Sequence, residues 1–450
     1  MRALAVIAVI LAVGCTPASA PGTSLPTNQP TEAPSPSRAP QTSTPGAVAA
    51  QIAESRSQVA RNGATAASPA QLAQMVGGDR ALAFDLYHYF VETEGGNLFI
   101  SPYSISTAMS MVLAGARGQT ADELAAALGV GQMGSDWHLA RNALELELAA
   151  LADYEPPGDG VAVPLTLEPT NAIFGQAGYP FKQDFLDILA ANYGAGMNAV
   201  DFMTQTEAAR VAINAWVAER TRDRIEELLP DGSIDSLTRA VLVNAIYFKA
   251  NWMDQFDPDA TETAPFHLLD GSTVDVQMMH GGGARYGTGD GWQAAELFYY
   301  GGPSMLLIVP DEGRFAEVEG LLDADYLAAL DGELGSYQLD LRLPRWETDA
   351  TLDVIPALKS LGVDLLFDPI AADLSGIADV QQLYVSGVLH QANITVDEQG
   401  TEAAAATAAV VSATSGPPPP ASLTVDRPFI YVIRGGQAGE MLFMGRVLEP

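Results

Sequence analysis

The sequence predicts an α+β fold with antiparallel or mixed sheets, helices filling the first half of one large domain and strands the second. Helical spacing of apolar residues dominates early, and β-branched and aromatic runs dominate late. The two do not alternate in the regular way that a doubly wound sheet requires. The chain has 450 residues, 48% hydrophobic and 17% charged, which permits a large buried core. No internal repeat is apparent.

Taken in order, Leu82, Leu86 and Phe90 fall on one face of a first helix. Ser101-Pro102 reads as the N-cap and first-turn proline of a second, with Ile105, Ala108, Met109 and Val112 as its apolar face. Thr120 and Glu123 read as a capping box for a short helix, and Ile213, Trp216 and Val217 point inward from a later one. Strand-like runs follow at 241–248, 304–309, 337–343, 389–396, 429–433 and 441–447. The glycines at 281–291 lack Gly-x-Gly-x-x-Gly spacing and read as a turn between strands.

Charge and cysteine usage exclude several functions. With 22 Lys plus Arg against 55 Asp plus Glu the formal charge is −33, which disfavours nucleic-acid binding and polybasic membrane or heparin sites. A single cysteine rules out an intramolecular disulfide and every cysteine-cluster metal site, and no cofactor is called for. No Gly-x-Ser-x-Gly elbow, His-Glu-x-x-His helix or phosphate loop occurs, and no local context supports a Ser-His-Asp triad. The chain is therefore not expected to be an enzyme.

The cysteine is informative by position. Met1-Arg2 precedes an apolar run, 3–13, too short to span a bilayer and of signal-peptide length. It ends in Leu11-Ala12-Val13-Gly14-Cys15, which resembles a bacterial lipobox, with Ala12 where Leu is usual. Residues 1–14 are then a signal peptide and Cys15 the lipidated first residue. Residues 16–46 carry eight prolines among small polar residues and read as an extended linker reaching at most roughly 95 Å. The lipidated cysteine, linker and a lead-in thus occupy 15–69, and the globular domain is expected over 70–450. This organisation predicts an extracellular or cell-surface protein, lipid-anchored to the membrane.

Residues 397–428 carry the most information. From Ala403 through Val425 no residue is charged, and four prolines begin at Pro417. An exposed segment of this kind is a protease-accessible tip. As a strand, Thr401, Ala403, Ala405, Thr407, Ala409 and Val411 would share one small or β-branched, uncharged face, with Glu402 facing water.

The chain from about residue 70 onward resembles a serpin. Gly400-Thr401-Glu402-Ala403-Ala404-Ala405-Ala406-Thr407 is similar to the hinge of inhibitory serpins, and Val425-Asp426-Arg427-Pro428-Phe429-Ile430 to the signature that follows the reactive loop. The segments 97–105, 243–249 and 443–447 match the family in order. The resemblance implies three β-sheets, eight or nine helices and an exposed reactive-centre loop. It implies inhibition of a serine protease, with the cleaved loop entering the large sheet as a new strand. The alternative within the family is a non-inhibitory chain that is cleaved as a substrate or acts as chaperone or carrier. The hinge argues for the inhibitor, since no proline or inward charge occurs over 401–413. The resemblance further assigns Gly400, Thr401, Ala403, Ala405 and Thr407 to the hinge, and Ser101, Ser104, Asn244 and His390 to a hydrogen-bonded cluster beneath the opening sheet. Trp252 matches the tryptophan near the insertion point. Family loops are cleaved about fourteen residues after the hinge glycine, here Thr414-Ser415, and any bond over 411–416 remains open. A monomer whose partner is the target serine protease is expected.

Overall fold

A computed structural model describes residues 52–152, 165–380, 382–401, 419–436 and 438–450. Among these, six of nine α-helices precede Thr221 and fourteen of eighteen strands follow Arg239, the segregation expected of an α+β chain.

Local signals account for the helix starts. Ser68 caps Pro69–Thr93 in a capping box with Gln71, and Leu82, Leu86 and Phe90 are buried. Ser101 caps Pro102–Leu113, its Oγ accepting from the Ser104 N–H at 3.2 Å. Thr120 and Glu123 are not the expected capping box, because their helix, Gly118–Ala127, begins three residues earlier than that box requires, behind Arg117. Both side chains instead hold distant backbone: Thr120 Oγ1 accepts from Asp373 N–H, and Glu123 Oε2 from the N–H groups of Asp364 and Leu365.

The strands form three sheets. The large one runs, edge to edge, Ala53–Ser55, Met197–Val200, Thr166–Gln176, Ala240–Asn251, Gly400–Thr401, Gly387–Val396 and Trp346–Asp353. A second seven-stranded sheet contains Gly335–Ser336, Ala284–Gly289, Trp292–Phe298, Ser304–Pro310, Phe429–Gly435, Glu440–Val447 and Leu98–Ile100. Pro420–Thr424, Gln338–Pro344, Thr273–Gly281 and Glu262–His267 make the third. The glycine-rich stretch is therefore not all turn. Only Asp290-Gly291 turns the hairpin, with Gly291 at φ 84°, while Gly287 and Gly289 lie in a strand. A Cβ on Gly289 would sit 2.3 Å from the Trp292 ring, which is why that strand position carries no side chain.

Ala240–Asn251 is buried on both faces, which explains its unbroken apolar run. Leu242, Ile246, Phe248 and Ala250 join the main core shared with the second sheet. Val241, Val243 and Ala245 join a smaller core with Ile213 and Val217 of the helix Thr206–Arg220. Trp216 is only partly buried in that core, its ring edge-on to Phe174 and covered by the Arg220 guanidinium at 3.9 Å. The fold also takes in residues upstream of the expected start at 70, because Ala53–Ser55 pairs antiparallel with Met197–Val200.

Candidate functional site

The site is a parting in the large sheet. Ala240–Asn251 and Gly387–Val396 run parallel and pair only over Val241–Ile246 and Gly387–Ala392. Beyond those residues they separate, and Gly400–Thr401 lies between them, antiparallel to both. Thr401 pairs with Ala250 on one side and Val396 on the other, and Gly400 with Asn251. Glycine is required there, since a Cβ on Gly400 would stand 2.0 Å from the Ala250 carbonyl oxygen.

Several contacts hold Gly400–Thr401 and the residues before them in place. Tyr299 and Thr401 share a hydroxyl–hydroxyl hydrogen bond of 2.7 Å, both side chains buried. Trp252 stacks on Tyr299 with centroids 4.2 Å apart, donates from Nε1 to Asp397 O at 3.0 Å, and from its backbone N–H to Gln399 O at 2.8 Å. The Glu398 carboxylate accepts from Arg345 Nε and Nη2 at 2.9 and 2.6 Å and from the Thr261 hydroxyl. Burial pushes the Glu398 pKa up, but Arg345 and Thr261 outweigh it and hold the group below the ordinary glutamate value.

Beneath the parting, where the two strands still pair, lies a closed polar cluster. His390 and Asn244 face each other in the ladder and hydrogen-bond through Nδ1 and Oδ1. The Ser101 backbone N–H donates to His390 Nε2 at 3.0 Å, so Nε2 is an acceptor and the ring proton sits on Nδ1. Asn244 Nδ2 donates to Ser104 Oγ at 2.8 Å and to Asn171 Oδ1 at 2.6 Å. Ser104 Oγ also reaches Asn171 at 2.9 Å, and Ser101 Oγ donates to Leu442 O at 2.7 Å. Helix Pro102–Leu113 is thereby tied to both halves of the sheet at the seam where they would part.

This parting and its family of spaced motifs correspond to a match over residues 78–450 with the family described as Serpin (serine protease inhibitor). The chain belongs to the serpin family. The leukocyte elastase inhibitor of Bos taurus is 36% identical over 393 residues, covering 84% of this chain and all of that protein, and that of Homo sapiens 34% identical over 390. Thyroxine-binding globulin in complex with thyroxine shares 29% identity at a TM-score of 0.72, covering 84% of this chain and 99% of its own. The native thermophilic serpin tengpin superposes with a TM-score of 0.75 at 24% identity, over 89% of this chain and all of its own, and shows the fold alone. The serpin fold of three sheets, with nine α-helices among the described residues, agrees with the expectation from sequence.

Of the residues singled out from sequence, the structure brings Ser101, Ser104, Asn244 and His390 into one cluster and sets Trp252 beside Gly400 and Thr401 where the two strands part. Ala403, Ala405, Thr407, Thr414, Ser415 and Cys15 lie outside the described residues. Asn171, Tyr299, Arg345 and Glu398 were missed. An asparagine amid the apolar run 171–175 was the one local cue, and the others depend on long-range pairing. Among the described residues no group of three acidic, histidine or cysteine side chains is placed to hold a metal, and no helix is long and apolar enough to cross a membrane.

Burial lowers the His390 pKa to about 3, and burial with the Arg141 charge lowers that of His138 to about 4. Both rings are neutral in the fold but take up protons in the unfolded chain below its value of 6.5. The unfolded state then binds more protons, so stability is complete above 6.5 and falls as pH drops toward the folded values. Urea denaturation between pH 7 and 4 should show a loss approaching two protons in slope, and His390→Asn should remove about one of them. A slope unchanged in that variant would mean His390 is not the buried neutral base described.

Proposed function

We propose that this serpin inhibits a serine protease by inserting its cleaved reactive loop into the large sheet. The observation that carries the reading is the register of Gly400 and Thr401 between the two parted strands. Each further residue along an antiparallel insert lies opposite one residue earlier on both neighbours. Six residues on from Thr401 is Thr407, and six back from Ala250 and from Val396 are Asn244 and His390. Insertion would therefore divide the His390–Asn244 pair and set the Thr407 hydroxyl, a donor and an acceptor, between the two groups it separates. Ala405 would lie between Ile246 and Ala392, and Ala403 between Phe248 and Ile394, all four neighbours buried on the main-core face. The strand Ala240–Asn251 has 12 residues, room for 400–411, the start of the stretch in which the reactive bond is expected.

In this scheme the target supplies the nucleophile and the serpin supplies the bond. That bond lies over 411–416, with Thr414-Ser415 the first choice by spacing. No Lys or Arg occurs between Gly400 and Asp426, so a trypsin-like pocket would be left with an unpaired buried acid. Val410, Val411, Ala413 and Thr414 suit the shallow apolar pockets of elastase-like or subtilisin-like enzymes, in keeping with the leukocyte elastase inhibitors among its relatives. Incubation with a protease panel should yield a covalent, SDS-stable complex with an elastase or subtilisin and none with trypsin. The released C-terminal peptide should begin between residues 412 and 416. Cleavage by every protease without a complex would leave the non-inhibitory reading, and a peptide starting after Arg427 with trypsin inhibited would overturn the target class.

We propose in addition that lipid on Cys15 anchors the chain, with the proline-rich linker holding the inhibitory domain off a cell surface, and that it acts as a monomer. One acyl chain binds a bilayer only marginally and two or three anchor stably. The support is the lipobox-like 11–15 and the composition of 16–46.

A further inference from the structure

The large sheet gains an edge strand from outside the part of the chain that the family match covers, residues 78–450. Ala53, Glu54 and Ser55 pair with Ala199, Asn198 and Met197, and Ile52 packs against the small core beneath helix Thr206–Arg220. The chain then runs over two further helices and is bonded to each. Ser57 Oγ donates to Asp187 Oδ1 at 2.5 Å, and Arg56 reaches the Gly194 carbonyl, both at helix Gln183–Tyr193 or its cap. Asn62 donates from its backbone to Ala191 O at 2.8 Å and from Nδ2 to Asn192 Oδ1 at 2.9 Å. Asn142, on helix Asp136–Leu151, donates to Asn62 O at 3.0 Å and accepts from Arg61 Nε at 2.8 Å, and Arg61 pairs with Glu145 at 3.0 Å. Approach is close throughout: a Cβ on Gly196 would lie 2.8 Å from the Ser55 carbonyl oxygen. The segment passes directly into helix Pro69–Thr93, against which Asp136–Leu151 packs.

This path ties the far edge of the large sheet to two helices behind it. A strand entering between Ala240–Asn251 and Gly387–Val396 widens the sheet there by about 4.8 Å. The four strands on the Ala240–Asn251 side must then shift relative to the two on the other side or to the helices behind. Residues 52–62 bond the outer edge of those four strands to Gln183–Tyr193 and Asp136–Leu151, so a slide of the strands over these helices by that distance would break the bonds. We infer that residues 52–62 form a clasp that restrains opening of the large sheet and so sets how slowly the uncleaved loop inserts by itself. The inference rests on the insertion reading of the loop. It adds that the timing of insertion is governed at the far edge of the sheet by a segment of this chain upstream of the family match.

The test uses the full chain carrying Ser57→Ala with Asn62→Ala, incubated without protease at raised temperature. The readout is the rate at which it converts to a more heat-resistant form unable to complex protease. Losing bonds of ordinary strength should speed conversion by about fivefold or more. Asn97→Ala is the control, because Asn97 bonds Glu449 O and the Leu448 N–H far from the clasp. Equal acceleration by both, or a rate within about twofold of the parent, would overturn the clasp. Should the double variant not fold, amide exchange of the unmodified chain decides. Amides over 53–62 should exchange no faster than those of Met197–Val200, and much faster exchange would show the clasp open in the native state. A chain that converts faster on clasp loss yet traps no protease would sink the inhibitory reading and leave the clasp standing.

Discussion

Thr407→Arg should turn the inhibitor into a substrate. In the proposed inserted strand, continuing the register of Thr401 would set residue 407 between Asn244 and His390, both fully buried, with a neutral imidazole on one side and a carboxamide on the other. No anionic partner belongs to that cluster, so a guanidinium there would be a buried unpaired charge worth several kcal/mol against insertion. Several kcal/mol in the barrier is on the order of 100-fold in rate. Insertion competes with hydrolysis of the acyl-enzyme, so the protease would be released before it is trapped. Titration should show far more than one variant molecule consumed per protease, while the rate of initial cleavage is unchanged. Thr407→Val separates charge from hydrogen bonding: it keeps the shape and loses the hydroxyl, so trapping should persist with a less stable cleaved form, by about 1–3 kcal/mol. Undiminished inhibition by the arginine variant would mean that the strand is phased otherwise than the register at Thr401 requires.

Cleavage of the loop should raise the melting temperature by more than about 10 °C. The inserted strand would pair on both sides along Ala240–Asn251 and Gly387–Val396 and bury small side chains against the main core. At about 1 kcal/mol net for each of some ten inserted residues, the gain is on the order of 10 kcal/mol. Melting entropies near 2 cal/mol/K per residue convert that gain, in a domain of this size, to a shift above about 10 °C. Scanning calorimetry before and after limited elastase digestion reads it directly, and an unchanged midpoint would identify a substrate-type serpin.

What could be read from sequence, and what could not, follows from the range of the interactions involved. The Ser101 cap and the helix after it depend on neighbours three residues apart and were legible. The expected phasing of the hinge rests on a charge-free stretch with small residues at alternate positions, of which only Thr401 lies among the described residues. Thr401 itself lies buried against Tyr299. The partners of the cluster were not legible, since Asn171 meets Asn244 only through the register of two strands far apart in sequence. Arg345 and Glu398 likewise meet across 53 positions. Thr120 and Glu123 fit a local pattern and serve distant backbone instead. The edge strand Ala53–Ser55 is three residues long and carries no periodicity to betray it. Its pairing comes from Met197–Val200, a sheet edge that local sequence could not reveal.

Amide hydrogen exchange on the elastase-cleaved chain tests the central claim most directly, because it reads whether residues 403–411 become a strand. The account predicts that these amides, together with those of Tyr247–Lys249 and Asn393–Thr395 that flank the parting, become strongly protected after cleavage. It predicts as well that Thr407→Arg delays this protection without abolishing it, because a cost of several kcal/mol is smaller than the gain of about 10 kcal/mol. Amides of 403–411 that stay freely exchanging in the cleaved wild-type chain would contradict insertion.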